Sequence, residues 1–248
     1  MALKHHSNSN GHFRQRSRGD WSDYAKMSKR YSSSALITAA NFINIAQIGE
    51  GAKILDLGCG HGRITELLVS KVPSLDVVGV DMTRSLLEKF VVESGVNGSK
   101  LKLICADIAS LPLEDNRFDV AVSSRVFQYL PDPVCGVREA LRVLKPGGRL
   151  VVSIPNKLNM IKYFGYRSRL YSPFEVRDWF RNCGFYKLEY GSMCFFPSAT
   201  RWKRFAAFWE IGTQIPFIKY VGGNVVVKGQ KKMEQPSQET RGSQPQLN

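Results

Sequence analysis

The residues of this chain that could do chemistry are grouped around a glycine-rich turn, Asp56-Leu57-Gly58-Cys59-Gly60-His61-Gly62. An apolar run over residues 52–57 precedes the turn and a helix-like pattern over residues 63–72 follows it, which predicts a strand, a tight turn and a helix start. Glycines accept positive φ angles and let a ligand approach the backbone, so the amides of such a turn can face that ligand. The turn therefore predicts a binding site for a nucleotide-like cofactor.

Two acidic residues indicate which cofactor the turn would bind. A dinucleotide turn has the spacing G-x-G-x-x-G, whereas the third glycine here comes one residue early, at Gly62. Asp56, two residues before the first glycine, would repel a pyrophosphate but attract the ammonium group of an amino-acid moiety. Asp81 ends the next apolar run, about 20 residues past the turn, where a carboxylate can accept both hydroxyls of a ribose. These features favour S-adenosylmethionine over a nicotinamide dinucleotide.

Four ordered segments resemble the motifs of class I S-adenosylmethionine-dependent methyltransferases, in particular the type 11 group that includes the ubiquinone and menaquinone biosynthesis methyltransferases. The first segment runs from Ile54 to Thr65 and contains the glycine turn. The others are VGVDM at 78–82, CADI at 105–108 with the LP and FD pairs that follow it, and LKPGGRL at 144–150. The resemblance covers residues 45–157 and implies S-adenosylmethionine as the cofactor, without a metal.

The resemblance also implies roles for individual residues. The three glycines of the turn would border the methionine part of the cofactor, Asp81 would bind the ribose hydroxyls and Met82 would pack against adenine. Asp107 with Ile108 would recognise the adenine amino edge, the alternative for Asp107 being an ordinary turn cap. The predicted cofactor-binding residues are Asp56, Gly58, Gly60, Gly62, Asp81, Met82, Asp107, Ile108 and Ser124.

A catalytic base is harder to assign than the cofactor site. Related enzymes often carry a histidine just after the fourth strand, where this chain has Tyr129. Tyrosine, with an ordinary pKa of about 10, is a poor base at neutral pH but can orient a substrate. His61 could accept a proton or simply occupy a turn position. An acidic acceptor would need no base and could be oriented by arginine. The predicted catalytic residues are Tyr129 and His61, and the predicted substrate-binding residues are Arg125, Tyr129, Arg167 and Arg169.

Alternating strand and helix patterns predict an α/β fold. A parallel sheet covered by helices on both faces follows from this alternation, with ligands bound outside the carboxyl ends of its strands. The resemblance implies a Rossmann-like, doubly wound, mostly parallel seven-stranded sheet with an antiparallel last strand. Predicted strands are 52–57, 76–80, 101–105, 118–123, 149–154, 185–190 and 224–228; predicted helices are 62–72, 83–94, 133–144 and one that begins with the capping box Ser172-Pro173-Phe174-Glu175 and ends at Gly184.

The domain organisation predicted from composition is one methyltransferase domain, residues 20–232, between a basic disordered tail, 1–19, and a second disordered tail, 233–248. Residues 20–48 would form a helical cover and residues 192–223 an aromatic and basic insert. Within the insert, residues 198–213 have the pattern of an amphipathic helix. That helix could pack on the domain as a lid or lie at the surface of an anionic membrane.

Charge and cysteine content limit the classes of partner. The net charge of +14 is concentrated in residues 1–35 and 137–232, and excess charge bears on partners rather than on fold. The five cysteines contain no C-x-x-C pair, so neither a disulfide framework nor a zinc site is predicted. No apolar run reaches the roughly 18 residues of a membrane span, and the start lacks a secretory core. We expect a cytoplasmic protein, with peripheral membrane contact as an alternative.

These observations predict a methyltransferase that acts on oxygen or carbon of a small hydrophobic or partly anionic acceptor, such as a quinone precursor, a lipid or a lipid-linked glycan. An RNA methyltransferase is an alternative suggested by the net charge, but nucleic acid is the less favoured partner because no recognisable RNA-binding module is present. The missing histidine suggests a third possibility, a cofactor-binding or membrane-adhering protein without catalytic activity.

Overall fold

A computed structural model of the 248-residue chain describes residues 42–72, 74–93, 101–159, 168–193, 220 and 222–233. The predicted tail 1–19, all of the tail 233–248 except Met233, most of the helical cover and most of the insert, including the helix predicted at 198–213, lie outside these residues. The domain bounds therefore stay predictions.

The elements follow one another in the predicted order. The strands are β1 Lys53–Leu57, β2 Asp76–Asp81, β3 Leu101–Cys105, β4 Phe118–Ser124, β5 Leu144–Pro155, β6 Tyr186–Met193 and β7 Asn224–Gln230. The α-helices named here are α1 Arg63–Lys71, α2 Arg84–Glu93, α3 Pro133–Val143 and α4 Pro173–Cys183, and a 3₁₀ turn spans Phe127–Tyr129. Residues 42–46 are also helical.

The strands form one seven-stranded sheet in the order β3-β2-β1-β4-β5-β7-β6. Strands β1 to β5 pair in parallel, while β7 is antiparallel to both of its neighbours, β5 and β6. The strand order reverses between β1 and β4, which is the switch point where open α/β sheets bind ligands. The predicted mostly parallel, doubly wound sheet is confirmed.

The hydrophobic core is divided between the two faces of the sheet because successive residues of a strand point to opposite sides. Leu55 of β1 belongs to the cluster that contains Val137 of α3 and Phe180 of α4. Ile54 belongs to the other cluster, with Leu68 of α1. Each fully buried side chain of this size contributes about 1.5–3 kcal/mol. Because both faces of the sheet are covered, the carboxyl ends of the strands are the part of the sheet where a ligand site can form.

Side-chain caps stabilise the starts of two helices, and the capping box predicted for α4 is confirmed. The Ser172 hydroxyl accepts a hydrogen bond from the Glu175 amide at 3.3 Å, and the Glu175 carboxylate accepts one from the Ser172 amide at 2.7 Å. The helix ends at Gly184, whose φ is 98°. At the start of α3, Asp132 accepts a hydrogen bond from the Val134 amide at 2.9 Å.

The start of β5 differs from the prediction. The strand was expected at 149–154, after a turn at Gly147-Gly148, but it begins at Leu144. The Gly147 amide donates to the Lys231 carbonyl at 3.0 Å, and the Lys231 amide donates to the Gly148 carbonyl at 2.8 Å. The glycine pair is therefore held beside the residues that follow β7, a contact between segments distant in sequence.

Candidate functional site

The glycine turn lies where β1 ends and α1 begins, and it is folded back onto the end of β2. The amides of Gly58 and Cys59 both donate to the carbonyl of Val80, at 2.7 and 3.0 Å. Gly58, Gly60 and Gly62 have φ angles of 74°, 58° and 85°, a region that favours residues without a Cβ. The turn thus depends on glycine for its backbone conformation.

The three glycines differ in what surrounds them. A Cβ on Gly58 would lie 2.3 Å from Cγ2 of Val126, and one on Gly62 would lie 2.1 Å from the Phe90 ring. A Cβ on Gly60 would have Leu86 as its nearest neighbour, at 3.8 Å. Packing therefore excludes a side chain at the first and third positions, whereas the second position faces open space.

Asp81 is fixed by backbone amides on both carboxylate oxygens. Gly60 donates to Oδ2 at 3.0 Å and Thr83 donates to Oδ1 at 2.8 Å. The Thr83 side chain adds a third hydrogen bond, which still leaves part of the roughly four lone-pair positions of an ionised carboxylate for another donor. Burial raises the pKa of Asp81, against the effect of these two amides, which lower it. This carboxylate is built to accept additional donors such as ribose hydroxyls.

Asp56 is a second acid beneath the same turn, and only 2% of its surface is exposed. The Thr65 hydroxyl donates to its Oδ2 at 2.6 Å. Burial, with a smaller effect of the negative charge of Asp81, raises the pKa of Asp56 to about 6, although the hydrogen bond from Thr65 lowers it. A cation that entered the site would favour the ionised form of both acids.

The carboxyl ends of β1, β2 and β4 border a cleft with about 1020 Å³ of empty space, including its open mouth. The structure brings these predicted site residues together in its lining: Asp56, Gly58, Gly60, His61, Asp81, Met82, Asp107, Ile108, Ser124, Arg125 and Tyr129. Residues that sequence reasoning missed complete the lining: Cys59, Arg63, Ile64, Thr83, Leu86, Ala106, Val126 and Leu130.

Two predicted site residues do not line the cleft. Gly62 is the N-cap of α1 and packs against Phe90 rather than lining the cleft. Arg169 donates to the carbonyl of Pro131 at 3.1 Å, directly after the cleft residue Leu130. Arg167 lies outside the described residues.

Asp107 is a turn cap that also lines the cleft, and its role in adenine recognition stays a prediction. Its Oδ1 accepts a hydrogen bond from the Ala109 amide at 2.8 Å, so the side chain does cap a turn. The same residue also lines the cleft, together with Ile108 and the half-exposed Met82. The turn cap therefore fixes the position of a carboxylate at the wall of the cleft.

A clamp that the sequence did not reveal holds the loop after Ile108. Arg142 of α3 binds both carboxylate oxygens of Glu139, at 2.9 and 2.8 Å, and donates to the carbonyls of Leu111 and Leu113 at 3.0 and 2.7 Å. Glu139 in turn accepts the Leu111 amide at 2.8 Å, and its hydrogen bond with Arg142 lowers its pKa. The arginine therefore connects the wall of the cleft to α3.

Within the described residues, no cluster of three or more His, Cys, Asp and Glu side chains could hold a metal ion. Over the same residues, no helix is long and apolar enough to cross a membrane.

The open space beside Gly60 and the unused acceptor capacity of Asp81 fit a nucleoside with a cationic amino-acid part.

Comparison with known families agrees with this geometry. A family model described as a methyltransferase domain matches residues 48–205. The chain belongs to this methyltransferase family. The resemblance to class I S-adenosylmethionine-dependent methyltransferases is confirmed, and with it S-adenosylmethionine as the cofactor.

Relatives of this methyltransferase include curated enzymes and solved structures. It is 35% identical to the demethylmenaquinone methyltransferase of Staphylococcus carnosus over 129 residues, 52% of this chain and 53% of that protein. This chain spans only 32% and 53% of the length of the first two curated relatives that it matches.

Two solved structures share the fold. A Haloferax volcanii methyltransferase, solved with the Trm112 activator, has a TM-score of 0.67 at 21% identity and covers 86% of this chain and 96% of that one. A Haemonchus contortus phosphoethanolamine N-methyltransferase, solved with S-adenosylmethionine, has a TM-score of 0.60 at 17% identity and covers 78% and 52%.

Proposed function

We propose that this protein transfers a methyl group from S-adenosylmethionine to oxygen or carbon of a small hydrophobic or partly anionic acceptor, a quinone precursor being the first candidate. The observation that carries the proposal is that one cleft combines the glycine turn and its acids with Arg125 and Tyr129. A curated relative named as a demethylmenaquinone methyltransferase supports a quinone-like acceptor.

The chain's own contribution is binding and alignment. Asp81, held by Gly60 and Thr83, would accept the ribose hydroxyls, and the negative charge of Asp56 would stabilise the cationic amino-acid part. Asp107 and Met82 would contact the adenine. The bound cofactor supplies an activated methyl group, so the protein need only hold the acceptor in line with it.

The acceptor would enter near the 3₁₀ turn. Arg125, directly after β4, and Tyr129, two residues before Pro131, both line the cleft. Arginine would hold an anionic oxygen of the acceptor by charge-assisted hydrogen bonds, and Tyr129 would orient it. An acceptor oxygen that is already ionised at neutral pH would need no general base, whereas the proton of a neutral one would pass to His61 or water while Tyr129 orients that oxygen.

Transfer of radiolabelled methyl groups into a cell extract tests this proposal. The extract is separated into lipid, RNA, protein and small-molecule fractions, and demethylmenaquinone is assayed as a defined acceptor. We expect label in the lipid or small-molecule fraction with the wild type and at least a tenfold lower rate with Asp81→Ala. Label mainly in RNA, together with binding that falls steeply with added salt, would replace this proposal with the RNA alternative.

A further inference from the structure

Arg125 has a backbone conformation that is unusual for a residue with a side chain. Its φ is 58°, in the left-handed region that a Cβ disfavours. The residue follows β4 directly and lines the cleft. Such a conformation persists only where the surrounding structure holds it in place.

Both backbone polar groups of Arg125 are held. Its amide donates to the carbonyl of Ser153 in β5 at 2.6 Å. Its carbonyl accepts a hydrogen bond from Nε2 of Gln128 at 2.8 Å. The first contact extends the sheet, whereas the second depends entirely on one side chain.

The Gln128 side chain is buried beside the Arg125 carbonyl. It is 1% exposed, and its Oε1 is buried with no hydrogen-bond partner in the described part of the chain. A buried acceptor without a partner destabilises a fold. The hydrogen bond of Nε2 therefore adds little net stability, and its effect is local to Arg125.

The conformation of Arg125 directs the next residue onto the glycine turn. The methyl groups of Val126 occupy the space beside Gly58, within 2.3 Å of the position a Cβ would take there. A change in φ at Arg125 would move Val126 away from this contact. Gly58 and the end of β4 would then lose their packing at the cleft.

We propose that Gln128 is a positioning residue for cofactor binding: its amide holds Arg125 in the left-handed conformation that seats Val126 against Gly58. The proposal rests on the proposed function, because the cleft must be the S-adenosylmethionine site. Without the amide, only a fraction of the molecules would have the binding-competent turn, and the apparent affinity would fall by that fraction.

A double-mutant cycle read out by binding of S-adenosylhomocysteine tests the proposal, with isothermal titration on four proteins: wild type, Gln128→Met, Arg125→Gly and the double variant. Methionine keeps the length of glutamine without its donor. Glycine adopts a positive φ without support. When Arg125 is present, we expect Gln128→Met to weaken binding about two- to tenfold, which is the equivalent of one hydrogen bond. In the Arg125→Gly background, we expect the same substitution to have no effect on binding.

Thermal unfolding separates positioning from general stability, since Gln128→Met also removes the unpartnered Oε1 and should leave Tm within about 2 °C of the wild type. Gln230→Met is the matched control, because Gln230 also donates to a carbonyl of a positive-φ residue, Gly147, at 2.9 Å. We expect it to leave the affinity unchanged. An unchanged affinity in Gln128→Met, or an equal loss in both backgrounds, overturns the inference. A wild type that does not bind S-adenosylhomocysteine would instead overturn the proposed function.

Discussion

The amide of Gly60 donates a hydrogen bond to the carboxylate of Asp81 at 3.0 Å. This contact joins the turn between β1 and α1 to the end of β2, so the two parts of the cleft are positioned by one another. The same carboxylate that shapes the turn is thus presented to a ligand.

Replacing Asp81 should therefore weaken cofactor binding. Asp81→Ala removes the proposed ribose acceptor and releases the Gly60 and Thr83 amides. We expect the affinity for S-adenosylhomocysteine, measured by isothermal titration, to fall by more than about tenfold, or about 1.4 kcal/mol. Asp76→Ala is the control, because Asp76 is the exposed first residue of the same strand. Equal affinities in the two variants would remove the ribose assignment.

The burial of Asp56 should make stability depend on pH. Its pKa rises from 3.8 to about 6 on folding, so the folded protein holds the proton more tightly than the unfolded chain. Its contribution to stability is fully present below about pH 4 and is lost as pH rises through about 6. The free energy of unfolding of the wild type, measured with urea, should therefore fall by about 1 kcal/mol between pH 5 and 7.5 relative to that of Asp56→Asn.

Asp56→Asn should also separate stability from binding. At pH 7.5 the variant avoids burying a charge and is expected to be more stable than the wild type, yet to bind S-adenosylmethionine more weakly because the negative charge is gone. Identical pH profiles for the two proteins would contradict the assigned burial. Unchanged affinity would contradict the role given to the carboxylate.

The second and third glycines of the turn should respond differently to alanine. In Gly60→Ala the new methyl group would enter the open cleft, whereas in Gly62→Ala it would meet the Phe90 ring at 2.1 Å. Both positions carry a positive φ, which costs about 1–2 kcal/mol for alanine. We expect Gly62→Ala to lose at least about 2 kcal/mol more unfolding free energy, from overpacking, and Gly60→Ala to lose more affinity. Denaturant titration and calorimetric binding measure the two effects, and the reverse ranking would refute the distinction.

Arg142 should be more sensitive to substitution than Arg138, the other arginine of α3. Arg142→Lys keeps the charge but cannot reproduce the bidentate contact with Glu139 together with the bonds to Leu111 and Leu113. We expect a loss of about 1–3 kcal/mol in unfolding free energy and weaker cofactor binding. Arg138→Lys, at an exposed position of the same helix, should change neither. A null result for both variants would show that the loop needs no clamp.

Much of the fold was predictable because buried parallel strands form continuous apolar runs between clear punctuation. The strand predicted at 76–80 is observed at Asp76–Asp81, and the capping box predicts the start of α4 at Pro173. The start of β5 was missed because backbone hydrogen bonds to Lys231 hold Gly147 and Gly148 within the strand. No local pattern contains that contact.

The site was predictable where a residue's position in a strand or turn determines its place. Asp56, Asp81 and Ser124 fall at strand ends and therefore meet at one edge of the sheet. The left-handed conformation of Arg125 and the clamp of Arg142 were not foreseen, because a positive φ at arginine and bonds to distant carbonyls leave no signature in the sequence. The catalytic roles of Tyr129 and His61 stay predictions.

The place of β7 between β5 and β6 has a consequence for biosynthesis. Residues 224–230 leave the ribosome after the other six strands of this sheet, yet they occupy an interior position and supply pairing partners on both sides. Until this segment arrives, β5 and β6 each present an unpaired edge, the kind of surface on which nascent chains associate with one another. The sheet is therefore completed only after β7 has been synthesised, and protection by chaperones should matter most just before that point.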